Sequence, residues 1–253
     1  MLFHYMIYHQ EQPHDRLKEL VRCLWRLENR GPEVIQHTIL PDGFFDLLVS
    51  YQNQELKEIA LSGLWTHRAQ VMIMPGTVIF GVQFRPLSVE VLIQKQIASL
   101  LNDIDLIDQD FWGLDKFDER AQPFSSFMNN RLLTIVAKAK AIDSRKKHLL
   151  TLVDQTKGTQ SVDQYSEVVC WTKRQINRYF QTTFGISLKT YCTIRKGAAS
   201  FGQIKRGKLY PEQPYFDQSH FIKSIRKISG VTPSELTKNE NDRFLQLSII
   251  KEK

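Results

Sequence analysis

One pattern occurs twice in this chain, 45 residues apart. TKRQINRYFQTTFGISLKTY, from Thr172, aligns without a gap with DQSHFIKSIRKISGVTPSEL, from Asp217. Thr172 meets Asp217, both residues whose side chains cap helices. Ile176 meets Phe221, Arg178 meets Lys223, Phe180 meets Ile225, Gly185 meets Gly230 and Ser187 meets Thr232. An internal repeat of this kind implies one supersecondary unit built twice.

The unit can be read residue by residue. Ser161 with Gln164, and Thr172 with Gln175, have the spacing of capping boxes. They predict helices over 162–169 and 173–184, separated only by a turn at Cys170-Trp171. Trp171 and Ile176 occupy the N′ and N4 positions of a hydrophobic staple, and Gly185 is a natural stop. Helix, tight turn, helix is the helix-turn-helix arrangement. The repeat predicts a second such helix over 218–229, with Phe216 and Phe221 as its staple and Phe221, Ile225 and Ile228 as its apolar stripe. Residues 187–206 would form a helix holding the two units in register. Gly197 and Gly202 weaken it by up to roughly 1 kcal/mol each relative to Ala.

The polar face of 173–184 narrows the function. Ile176, Phe180 and Phe184 make an apolar stripe; Arg174, Asn177, Arg178 and Gln181 fall together on another face. Arg pairs bidentately with guanine edges, and Asn or Gln with adenine edges. No acidic residue lies between Trp171 and Gly185, as suits a surface facing phosphates. The charge balance agrees. Residues 1–137 hold 12 Lys and Arg against 17 Asp and Glu, whereas 138–253 hold 22 against 10. A basic half joined to an acidic half points the basic half at a polyanion.

The first half reads as β-rich. EVIQHTILPDGFFDLLVSY (33–51) and QVMIMPGTVIFGVQFRP (70–86) are dense in Val, Ile and Phe and broken by Pro-Asp-Gly, Ser-Gly and Pro-Gly turns. DRLKELVRCLWRLEN (15–29) is compatible with a helix or with a strand at its end. Strands at this spacing suggest a barrel or sandwich. From about Ser88 the pattern turns helical, and DSRKKH (143–148) is the expected linker between domains at 1–142 and 143–253. The fold class expected is α+β: an N-terminal β-barrel domain with helices, then an all-α tandem helix-turn-helix domain.

PYFDQSHFIKSIRKISGVTPSEL (214–236) and TKRQINRYFQTTFGISLKTY together resemble the AraC/XylS family of bacterial transcription regulators, over about 159–235. The resemblance implies two helix-turn-helix units on a linker helix, binding double-stranded DNA in the cytoplasm. It implies base contacts at Arg174, Asn177 and Arg178 in the first unit and at Gln218, Ser219 and Lys223 in the second. Lys173, Gln181, Lys189, Arg226 and Lys227 would hold phosphates. ILPDGFFDLLVSY (39–51), FGVQFRP (80–86) and DQDFWG (108–113) are similar to a cupin-like sensor domain found ahead of such regulators. That likeness implies control by a small-molecule effector or by homodimerisation.

The chain departs from the pattern in three places. Leu188 replaces the usual proline. Cys170 stands where the turn often has glycine. The first unit's leading helix, 161–169, maps onto RGKLYPEQP (206–214), where Gly207, Pro211 and Pro214 oppose a helix. The second unit is therefore expected to lack its supporting helix. Leu209 and Tyr210 would refill the space, and the prolines would deliver Phe216 and Asp217 to the next helix.

Other chemistry is weaker. His4, His9, His14, His37 and His67 form no metal-binding pattern, and no cofactor is expected. Asp42 and Asp46, near Arg85, could pair catalytically, but a turn cap plus an ion pair suits them better. There is no GxSxG, P-loop or GxGxxG. Cys23, Cys170 and Cys192 read as free thiols. No apolar run reaches membrane-spanning length, so no membrane partner is expected. Two other classes stay open: a barrel enzyme fused to a regulatory helical half, and an interaction protein whose DNA binding has degenerated.

Overall fold

The computed structural model describes residues 5–240 and 243–249. Its architecture is α+β, with antiparallel sheets in the first half and helices after them. Strands β1 (Met6–Glu11), β2 (Val21–Asn29), β3 (Ile35–Ile39), β4 (Phe45–Gln52), β5 (Glu55–Ser62), β6 (Ala69–Ile73), β7 (Thr77–Phe84) and β8 (Ile104–Ile107) pair antiparallel with one another. Six form one sheet in the order β1-β2-β7-β4-β5-β8; β3 and β6 form the other. Met6, Leu27, Ile35 and Ile73 are buried together where the two sheets meet. Gly81 of β7 lies against the Trp25 indole, so closely that a Cβ there would sit 2.0 Å from the ring.

Of the two readings open for 15–29, the strand is the one adopted; only Asp15–Leu17 forms a short 3-10 turn. The helical pattern after Ser88 yields less than expected. Val89–Ile93 makes one wide turn and Ala98–Leu100 another. Gln94 turns left-handed (φ 54°) between them, and the Ile97 amide bonds Thr183 O at 2.9 Å instead of its own chain segment. Burial of Val89, Leu92 and Ile97 overrides the local period.

Helices follow: α1 (Phe124–Lys138), α2 (Ser144–Gln155), α3 (Val162–Val168), α4 (Lys173–Phe184), α5 (Leu188–Ala199), α6 (Phe201–Lys205), α7 (Gln218–Ser229), α8 (Pro233–Lys238) and α9 (Leu245–Ile249). The stretch read as the linker is where α2 begins. Asp143 accepts the Arg145 amide (2.9 Å), and Lys146 and Lys147 reach back to Glu90 and Glu19. The helix expected over 187–206 breaks at Ser200 into α5 and α6.

The halves share a core. One cluster of buried apolar side chains runs from Leu17 through Phe45, Phe84, Phe180 and Ile225 to Leu247. The far end of the chain returns to the sheets: Thr38 N donates to Arg243 O (2.7 Å), and the Gln246 amide exchanges two hydrogen bonds with Leu40. Among the described residues no helix is long and apolar enough to cross a membrane.

Candidate nucleic-acid interface

α4 begins where its sequence says it should. The Thr172 hydroxyl accepts the Gln175 amide while the Gln175 side chain accepts the Thr172 amide, and Ser161 with Gln164 does the same for α3. Between these helices Cys170 takes φ 50°, a left-handed conformation that favours glycine. The Trp171 ring lies 5.6 Å from that of Tyr179. Ile176, Phe180 and Phe184 are fully buried. Burial of each such side chain contributes about 1.5–3 kcal/mol, so the apolar stripe fixes which face turns outward.

That outward face carries Lys173, Arg174, Arg178 and Gln181, all exposed. Asn177 differs: it is half-buried, and its Oδ1 is shielded from solvent with no hydrogen-bond partner. Lys173 is ion-paired with Asp163 of α3, which raises its pKa.

α7 repeats the geometry. Asp217 accepts the His220 amide at 2.7 Å; Phe221, Ile225 and Ile228 are buried; Gln218, Ser219, Lys223, Arg226 and Lys227 are exposed. Lys189, at the start of α5, is exposed too. Both α4 and α7 end on a left-handed glycine, Gly185 (φ 78°) and Gly230 (φ 76°), whose amide bonds the carbonyl four residues back. Each glycine also abuts the first half. A Cβ on Gly185 would lie 3.0 Å from Ala98 O, and one on Gly230 would lie 2.9 Å from the Arg68 guanidinium. The sheet half thus buttresses the C-terminal ends of both helices and leaves their N-terminal turns exposed.

The missing support helix is indeed missing. Between α6 and α7, residues 206–217 form no helix. The loop hangs on buried Gln203, whose amide donates to Lys208 O (3.3 Å) and Tyr210 O (2.6 Å) and accepts from the Glu212 amide (3.0 Å). Two expectations fail here. Tyr210 does not refill the core; it is 73% exposed. Phe216 is not the staple; it is 92% exposed, and Tyr215 packs on Phe221 in its place at 5.1 Å. The 45-residue register pairs Phe216 with Trp171, but the chain enters α7 extended, so adjacent side chains point opposite ways and the inward one is Tyr215.

Sequence reasoning also missed the joint between halves. PDGFF and FRP, read above as a turn and as part of the sensor-domain likeness, form it. The Tyr191 hydroxyl of α5 donates to Gly43 O (3.1 Å), and Arg195 donates to Asp42 O (2.7 Å) and to Asp154 of α2 (2.7 Å). Arg85 pairs with the same Asp154 carboxylate. The buried Phe44 ring is flanked by Arg22, Arg85 and Arg195 at 4.7, 5.8 and 4.2 Å. Gly43 has no room for a side chain: a Cβ there would lie 2.4 Å from Arg195 Cδ. Asp42 is a turn cap, accepting the Phe44 amide at 3.0 Å, and its ion pair is with Arg22 at 3.4 Å. Arg85 is engaged elsewhere. Asp46 accepts from the Trp25 indole N–H (3.0 Å), and burial pushes its carboxyl up to about 7.

Among the described residues no three His, Cys, Asp or Glu side chains are placed to hold a metal; His4 lies outside them. Burial pushes the Cys23 and Cys192 thiols up to about 12, so neither is a ready nucleophile.

Residues 9–104 match a family described as Domain of unknown function (DUF6597). No curated protein matches the chain. Among solved structures, ToxT from Vibrio cholerae is similar at 12% identity, covering 92% of this chain and 98% of that one with a TM-score of 0.43. Unsaturated fatty acid bound wild-type ToxT is similar at 12% identity, covering 98% and 97% with a TM-score of 0.41.

Proposed function

We propose that the protein is a sequence-specific, double-stranded-DNA-binding transcription regulator and not an enzyme. The observation that carries this is the pair α4 and α7. Each starts on a side-chain cap, ends on a left-handed glycine, buries one stripe, and presents an exposed first turn with no Asp or Glu inside it: Lys173, Arg174 and Gln175 on α4, Gln218, Ser219 and His220 on α7. In helix-turn-helix proteins that end of the second helix meets base edges. Arg174, Asn177 and Arg178 read bases in one groove; Gln218, Ser219 and Lys223 read in the next. Lys173, Gln181, Lys189, Arg226 and Lys227 hold phosphates. Lys173 exchanges Asp163 for a phosphate on binding. Asn177 turns its shielded Oδ1 outward, and pairing with adenine supplies the hydrogen bond that atom now lacks.

Control enters through the first half, acting in a bacterial cytoplasm. Arg195 and Asp154 couple the sheets to α2 and α5, so a shift of the β4 turn is felt by the helix joining the two units. A cavity of about 160 Å³ lined by Leu24, Trp25, Arg26, Phe80, Glu119 and Phe124 is the place for a small effector. Homodimerisation is the alternative means of control.

The test is affinity for a selected duplex and for an unrelated one across a salt series. Wild type should prefer the selected duplex and weaken steeply with salt. Arg178→Ala should cost about 1–3 kcal/mol and relax specificity at one position. Equal affinity for all duplexes would overturn the reading; uniform loss in the variant would demote Arg178 to a phosphate contact.

A further inference from the structure

Phe216 is the most exposed large apolar side chain among the described residues, and it is held that way. On one side, the Tyr215 ring is fixed against Phe221 and stands 5.7 Å from His220, with the Lys196 ammonium 4.4 Å from its centroid. Lys196 also reaches Pro214 O at 3.5 Å. On the other side, Asp217 is extended (φ −153°, ψ 178°) and locked to the first turn of α7 by its cap. With both neighbours pinned, Phe216 has no inward rotamer to fall into: Tyr215 already fills the place beside Phe221. The side chain therefore stands beside the N-terminus of α7, next to exposed Gln218 and Ser219 on a turn free of acids other than its own cap.

We propose that Phe216 is a specificity residue of the second unit, meeting the C5-methyl group of a thymine in the major groove. This deepens the DNA-binding reading and rests on it. The chemistry commits to that target. The turn after Phe216 is the one that enters the major groove, and the thymine methyl is the apolar feature a base pair presents there. A rigid ring on a pre-ordered backbone meets it with little further loss of freedom. The arrangement also gives the prolines a role: Pro211 and Pro214 stiffen a loop that projects an aromatic where the first unit has a supporting helix.

The experiment uses the full chain and the duplex that it selects. Each thymine is replaced in turn by deoxyuridine, which lacks only the methyl. Wild type should lose roughly three- to tenfold in affinity at one position under the second half-site. Phe216→Ala should lose a similar factor on the parent duplex and no longer respond to that replacement. Phe216→Leu should keep part of the response. The thermal midpoint of both variants should match wild type, since the ring packs on nothing. Two results overturn the proposal and spare the DNA-binding reading: a wild type that selects a sequence yet ignores every thymine methyl, or a Phe216→Ala loss that is equal on unrelated duplexes. A wild type that selects no sequence overturns both.

Discussion

The two repeated units share their helix and differ in what holds it. α4 and α7 each run twelve residues, each starts on a side-chain cap, and each stops on a left-handed glycine. α4 is backed by α3, whose buried Tyr165 hydroxyl bonds Thr156 at 2.6 Å. α7 is backed by a proline loop suspended from one glutamine. A helix of this unit thus needs its ends and its buried stripe specified locally, while its support can be any rigid structure that fills the space behind the turn.

Substitutions can break or sharpen that comparison. The largest effects should be alike in both units, because both stripes are buried to the same degree. Phe180→Ala should cost about 4 kcal/mol and Ile225→Ala about 3 kcal/mol, read by chemical denaturation. A second unit losing under 1 kcal/mol would mean that α7 is not packed as described. Next comes the support itself. Gln203→Ala frees two carbonyls and one amide of the loop and should cost about 2–3 kcal/mol, with hydrogen exchange rising across 206–217. Tyr165→Phe in the first unit removes the bond to Thr156 and should cost about 1 kcal/mol. Equal costs would erase the difference between the two supports.

The smallest effects should have opposite signs. Gly197→Ala drives a methyl to within 2.3 Å of the Ile228 side chain and should destabilise by about 1–2 kcal/mol. Gly202, whose surroundings are open apart from Arg206 at 3.6 Å, should tolerate Ala and gain about 0.5 kcal/mol in stability. Matching signs in thermal melts would show that Gly197 is no contact point between α5 and α7.

That pair also marks how far the residues alone could be read. Both glycines look like equal weaknesses in one helix; only packing distinguishes the one that admits α7. Caps, stops and stripes were legible because they are local: Thr172, Gly185, Asp217 and Gly230 declare themselves by spacing, and helix boundaries at 173–184 and 218–229 follow. The absent support helix was legible for the same reason, since Pro211 and Pro214 forbid it. The staple was not. Whether Tyr215 or Phe216 turns inward depends on the extended entry of the chain, and a repeat aligned by sequence carries no such information. The joint was invisible too. Asp42, Gly43 and Phe44 read as a turn, and their partners Tyr191 and Arg195 lie more than a hundred residues away.

The central claim is that both units read DNA despite their different supports. The most direct measurement is binding-site selection from random duplexes with the full chain, repeated with Arg178→Ala and with Lys223→Ala/Arg226→Ala. Two half-sites about one helical turn apart, each blurred by a different variant, are the predicted result. A single half-site that the second variant leaves untouched would contradict it, reducing α7 and its loop to a prop for α4.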